Sequence, residues 1–149
     1  MNEWYYQNAV FDEDMVGKYT AMVYLITNLR SGRKYIGKKK FLFKKIKTVN
    51  KKKKRVFAPS DWQDYYGSSE ELKKDVELLG KENFRREILH LCMTPGESSY
   101  LEIKEQIIQD ALLRDDYYNA FVGCKVHRNH VKVLWQTIES TSQTTTSHA

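Results

Sequence analysis

Met22-Val23-Tyr24-Leu25-Ile26-Thr27-Asn28, the link Leu29-Arg30-Ser31-Gly32, and Arg33-Lys34-Tyr35-Ile36-Gly37-Lys38 form the stretch on which the fold turns. Both arms are rich in β-branched and aromatic residues and the link ends in glycine, which reads as two antiparallel strands joined by a turn. Strand side chains alternate between faces, so Tyr24 and Tyr35 come to lie side by side if the register allows. Taken alone, the pair also reads as two half-buried core tyrosines with wet hydroxyls.

Around this stretch the chain has 149 residues, 41% of them hydrophobic and 13% aromatic, enough for one domain with a real core. No apolar run approaches the roughly 20 residues of a membrane span. Met1-Asn2-Glu3-Trp4 carries neither a basic n-region nor an apolar signal-like segment. Two cysteines, Cys92 and Cys124, are too few for a disulfide framework, so a reducing cytoplasm is the expected setting.

The net charge of +6 is unevenly spread. Residues 38–55 hold eleven Lys/Arg and no acid: Lys38, Lys39, Lys40, Lys44, Lys45, Lys47, Lys51, Lys52, Lys53, Lys54 and Arg55. The other fourteen basic residues stand against nineteen acidic ones, which leaves the rest of the chain at −5. A local stripe of this kind is the footprint of a polyanionic partner, most often nucleic acid, or else a solvated loop.

In chain order, residues 1–20 mix aromatics with acids and are expected to pack over the domain edge as an N-terminal extension, without chemistry. Residues 44–58 read as an insertion with little regular structure, ending at Pro59. Ser68 and Glu71 fit a capping box opening a helix whose buried stripe is Leu72, Val76 and Leu79, with Gly80 as its C′ residue. Phe84 to Cys92 is a third strand, and a second helix runs from Pro95 through about Leu113. A loop at 115–119 and a short strand over 121–126 follow, and from Glu139 the polar, low-complexity end is expected to be disordered.

On the second helix, Leu101, Ile108 and Leu112 share a face with Glu105. A carboxylate within an apolar stripe needs a basic partner, a hydrogen-bond network or a divalent metal. Glu102 lies off that stripe and reads as half of a capping box with Ser99.

Together these features resemble the GIY-YIG nuclease family from about Val23 to Asn119. Tyr35-Ile36-Gly37 preserves one half of the signature and Met22-Val23-Tyr24 the other, with Met22 where the family has glycine. Gly67-Ser68-Ser69 opens a helix. Gly80-Lys81-Glu82-Asn83-Phe84 turns into a strand, a Pro-headed helix follows, and Tyr118-Asn119 closes the core. The resemblance implies hydrolysis of DNA phosphodiesters with one Mg²⁺ or Mn²⁺ on a single glutamate, taken here as Glu105. It also implies that Tyr24 takes a proton from water, that Tyr35 orients water and phosphate, and that Asn119 belongs to the site. Phenols near pKa 10 are weak bases at pH 7 unless neighbouring lysines depress them.

The family arginine expected some ten residues after Gly37 is missing; Lys39 is the first choice to replace it, with Lys40, Lys44 or Arg55 as others. Lys38, Lys40, Lys44, Lys51 to Lys54 and Arg55 are expected to contact nucleic acid. Cys124, His127 and His130 offer three zinc-type ligands at a spacing that matches no common site. The expected fold is α/β of the α+β kind, a three-stranded antiparallel or mixed sheet flanked by helices, with the nuclease domain over residues 20–138. A non-catalytic nucleic-acid-binding module and a basic RNA-binding protein are the competing readings. No separate DNA-recognition module is expected after Asn119.

Overall fold

The central strand is β3 (Ala21–Asn28), which pairs on one side with β4 (Lys34–Lys40) and on the other with β7 (Phe84–Cys92). Its residues Met22, Val23, Tyr24 and Ile26 have no solvent exposure, as expected of a strand covered on both faces. The computed structural model describes residues 2–123. The Cys124–His127–His130 trio, the polar end and the second half of the suggested final strand lie outside the described residues, and its first half, residues 121–123, is not a strand.

Two further strands, β1 (Trp4–Tyr6) and β2 (Ala9–Phe11), extend the sheet to the order β2-β1-β7-β3-β4, with β1 parallel to β7 and all other pairs antiparallel. The sheet is therefore α+β as expected but larger than three strands. The N-terminal aromatics are structural: Trp4 is 2% exposed and its indole N–H donates to the Trp62 carbonyl at 2.8 Å. Burying a large ring with its one donor satisfied ties the first residues into the core.

Helix α1 (Glu70–Leu79) lies on one face, where Leu72 and Val76 pack with Met22, Tyr24 and Ile26. Helix α2 (Pro95–Ile108) covers the other, where Leu101 packs with Val23, Ile36 and Cys92. Burial pushes the Cys92 thiol up to about 12, which makes it an inert core residue, as its strand position suggested.

Three local readings change. Residues 44–58 are regular: β5 (Leu42–Val49) and β6 (Lys52–Pro59) form a second, two-stranded sheet around a tight turn, with Asn50 and Lys51 both at positive φ. The cap of α1 is Ser69, whose side chain accepts from the Leu72 N–H at 3.3 Å, and this frees Ser68 for other contacts. Helix α2 is capped by Thr94 and stops at Ile108, because Asp110 adopts a left-handed conformation. Leu112 is thus off the helix, and Ser99 lies a full turn inside it, too far in for a capping box with Glu102. Among the described residues no helix is long and apolar enough to cross a membrane.

Candidate active site

Strand β4 is an edge of the main sheet, so its outward N–H and C=O groups need partners from elsewhere. At Lys34 the loop backbone supplies them, through the Asp116 carbonyl and the Tyr118 N–H, and further along side chains do. Asn119 accepts from the Ile36 N–H at 3.0 Å and donates to the Ile36 carbonyl at 2.8 Å, and Gln106 donates to the same carbonyl at 3.0 Å. The Lys38 backbone N–H favours the ionised form of the Glu102 carboxyl. This explains the composition of α2. Ser98, Glu102 and Gln106 recur every fourth residue as a polar stripe because that face packs on an unpaired strand edge, which an apolar stripe would leave unsatisfied.

The same arrangement opens a cleft of about 530 Å³ lined by Tyr35, Lys38, Ser68, Glu102 and Asn119. The Tyr35 hydroxyl shares a 2.8 Å hydrogen bond with Ser68, and the Lys38 ammonium donates to the Ser99 hydroxyl at 2.6 Å. Arg33 does not line the cleft but holds two residues that do, its guanidinium 2.6 Å from Glu71 and 4.0 Å from the centre of the Tyr118 ring. Tyr118 in turn receives a bond from buried Asn28 and donates to Asp75, which fixes the loop that carries Asn119.

Burial raises the pKa of the Glu102 carboxyl, and the ammonium and backbone N–H of Lys38 only partly offset this. Such a carboxylate has more to gain from an added cation than a solvated one. Burial also raises both tyrosines. Tyr24 is pushed well above its ordinary value and Tyr35 is raised less, with Ser68 pulling it back. The expectation that lysines depress these phenols is reversed, because desolvation raises both and the neighbouring Tyr65 and Glu102 charges add to it.

The pairing of the two tyrosines is as expected. Their ring centres lie 6.2 Å apart on one face of the β3–β4 hairpin. Their roles separate, however. Tyr24 is fully buried between Trp4, Tyr35 and Tyr65, whereas Tyr35 reaches the cleft. Gly37 sits between them. A Cβ there would lie 2.6 Å from the Tyr24 ring carbon that bears the hydroxyl and 2.9 Å from the Tyr35 ring. Gly37→Ala should therefore lower stability by about 1–3 kcal/mol through overpacking, measured by urea unfolding. Wild-type stability would mean that the two rings have room to part.

The other sequence-derived residues divide. Asn119 and Lys38 line the cleft; Glu105 does not. Its carboxylate lies 2.8 Å from the His90 ring on β7, while Ile108 is 60% and Leu112 46% exposed, so the apolar stripe around Glu105 does not form. Lys39 points away from Lys38, on the face of β4 that carries Tyr35, 2.6 Å from Asp61 and 4.1 Å from the Tyr65 ring centre, and does not line the cleft. Lys40 and Lys44 line a separate groove beside Pro95, and Arg55 with Lys51 to Lys54 lies on the β5–β6 hairpin and its turn. Glu102 and Arg33 are the residues that sequence reasoning passed over. The recurrence of Ser98, Glu102 and Gln106 was the available signal for the first; nothing local marks the second.

A family described as "Putative endonuclease segE, GIY-YIG domain" matches residues 4–122, most of the chain. A phage T4 protein described as "Putative endonuclease segD" is 29% identical over 103 residues, which cover 68% of this chain and 38% of that protein. The chain thus spans well under half the length of that relative. No solved structure matches. With the paired tyrosines meeting at Gly37 and the matched segment reaching from β1 past Asn119, the chain belongs to the GIY-YIG endonuclease family.

Proposed function

We propose that this chain is a metal-dependent endonuclease that hydrolyses a DNA phosphodiester in the Tyr35–Glu102 cleft, with Glu102 rather than Glu105 holding Mg²⁺ or Mn²⁺. The observation that carries this reading is one half-buried carboxylate, raised by its burial, beside the Tyr35 hydroxyl and the Lys38 ammonium in an open cleft. The donor set suits a hard cation, which prefers oxygen and keeps several waters. Among the described residues no group of three or more His, Cys, Asp or Glu could hold an ion, so Glu102 would share it with water and a substrate phosphate. When bound, the ion supplies positive charge to the phosphoryl group and leaving oxygen.

The chain's own residues do the rest. Lys38, held by Ser99, faces the phosphate as a point charge. Tyr35, fixed by Ser68, presents its hydroxyl to the attacking water and aligns it. Tyr24 braces the Tyr35 ring from within the core and takes no proton from water, because it is fully buried and its phenol is the harder of the two to ionise. Asn119 acts as a positioning residue through its clamp on Ile36. The phage relative fits a chain that works in a host-cell cytoplasm.

Nicking of supercoiled plasmid tests the proposal. It should require added Mg²⁺ or Mn²⁺ and stop with EDTA, and Tyr35→Phe should slow it by about 10²-fold while leaving DNA affinity unchanged. Clean, saturable binding with no nicking in either metal would point instead to a non-catalytic DNA-binding module on this fold.

A further inference from the structure

The β5–β6 hairpin carries the highest concentration of charge in the described chain and contributes nothing to the cleft. Among the described residues none of its cations forms an ion pair, and Lys47 and Lys54 face each other directly across the strands. A lone two-stranded ribbon is marginal in water, and like charges opposite one another weaken it further. Its root is nevertheless firmly held. Phe41 is 1% exposed with its ring centre 5.2 Å from that of Trp62, and backbone bonds join Phe41 to Thr20 and Ser60.

Strand alternation divides the hairpin between two faces. One carries Lys44, Ile46, Thr48, Lys53, Arg55 and Phe57, with Ile46 73% and Phe57 62% exposed. The other sets Lys45, Lys47, Lys52 and Lys54 among Phe43, Val49 and Val56. We propose that this hairpin is a β-ribbon that enters the major groove of duplex DNA, reads base edges with the Ile46–Thr48–Arg55–Phe57 face, and reaches the flanking phosphates with its lysines. The proposal rests on the DNA reading above but not on catalysis.

The dimensions agree. Two strands about 4.8 Å apart with side chains fit a groove about 12 Å wide, and eight residues at about 3.4 Å each span roughly 27 Å, most of a helical turn. An arginine can bond guanine bidentately, a threonine hydroxyl can bond either kind of base pair, and apolar side chains can contact the thymine methyl. Single strands call for a row of stacking aromatics, whereas the hairpin's two phenylalanines sit near its root. The major groove of an RNA duplex is too narrow to admit the ribbon.

The test is binding to a pool of randomised duplexes without divalent metal, so that failure of the nuclease reading leaves it intact. The wild type should enrich a short motif. Replacing residues 46–55 by Asn-Gly keeps the Lys45–Val56 register, and should lower duplex affinity at least 10²-fold, lower the salt slope by up to about five, and abolish the motif. Arg55→Ala with Thr48→Ala should lose one or two motif positions for less than a tenfold loss of affinity. Lys45→Ala, Lys52→Ala and Lys54→Ala combined should weaken all sequences alike. The proposal is overturned if the wild type enriches nothing, if the shortened chain keeps the same motif and affinity, or if the hairpin matters only for single strands or RNA. Thermal unfolding of the shortened chain identifies any loss that comes from misfolding, and the two alanine sets then decide.

Discussion

Glu102→Gln should abolish cleavage, a loss of at least about 10³-fold, while leaving duplex affinity within a few-fold of wild type. The substitution keeps shape and hydrogen bonding and removes the charge that would hold the cation. Without metal, its thermal stability at pH 7 should equal or exceed that of wild type. Burial raises the folded-state pKa of Glu102, so the stability linked to this group is present below its unfolded pKa and is lost as pH rises through the folded one. At pH 7 the ionised carboxylate is therefore a cost that glutamine removes. The advantage of the variant should shrink as pH falls towards the ordinary carboxylate range. Melting curves from pH 4 to 8 check the sign; a variant less stable at every pH would make Glu102 a structural anion for Lys38.

The second large effect is expected at Arg86, which no reading of the sequence singled out. It is 1% exposed, yet among the described residues it forms no ion pair. The guanidinium donates to the carbonyls of Gln63 at 2.9 Å and Tyr65 at 3.0 Å, and also to that of Asn2. It lies 4.7 Å from the Trp4 ring centre and 4.2 Å from that of Tyr66. Carbonyl dipoles and two ring faces thus take the place of a carboxylate. Arg86→Met fills similar space but leaves buried carbonyls without donors, and should cost about 4 kcal/mol in chemical denaturation. Because the segment it ties down leads into Gly67 and Ser68, nicking should fall even where the variant is folded. A loss below about 1 kcal/mol would show that the segment is held by other contacts.

The central hairpin was legible because its β-branched arms and glycine-ended link specify strands locally, and β7 was legible for the same reason. The five-stranded sheet was not. Trp4 and Phe11 look like any surface aromatics until β7, some eighty residues later, offers β1 a partner. The β5–β6 ribbon was obscured by its lysines, which read as a solvated run, and by the lack of any two-residue period in Phe43, Ile46, Val56 and Phe57.

The apolar stripe read around Glu105 does not form, although the rule behind that reading usually works. An apolar stripe marks the buried face of a helix that packs on a sheet's face, but α2 also covers a sheet edge, where Ser98, Glu102 and Gln106 are the residues that fit. The full burial of Tyr24 was not legible either. Spacing put the two phenols side by side, but only packing reveals that one of them is sealed in the core.

The central claim is that Glu102 is the carboxylate that would hold the metal, and it is tested most directly by comparing two isosteric variants in one assay. Single-turnover cleavage of the same plasmid should be measured for wild type, Glu102→Gln and Glu105→Gln across a titration of Mn²⁺. Glu105→Gln, which loses only its contact with His90, should cleave within about tenfold of wild type, and Glu102→Gln should stay at background at every concentration. An active Glu102→Gln beside a folded, inactive Glu105→Gln would contradict the account and return the metal to the outer turn of the helix.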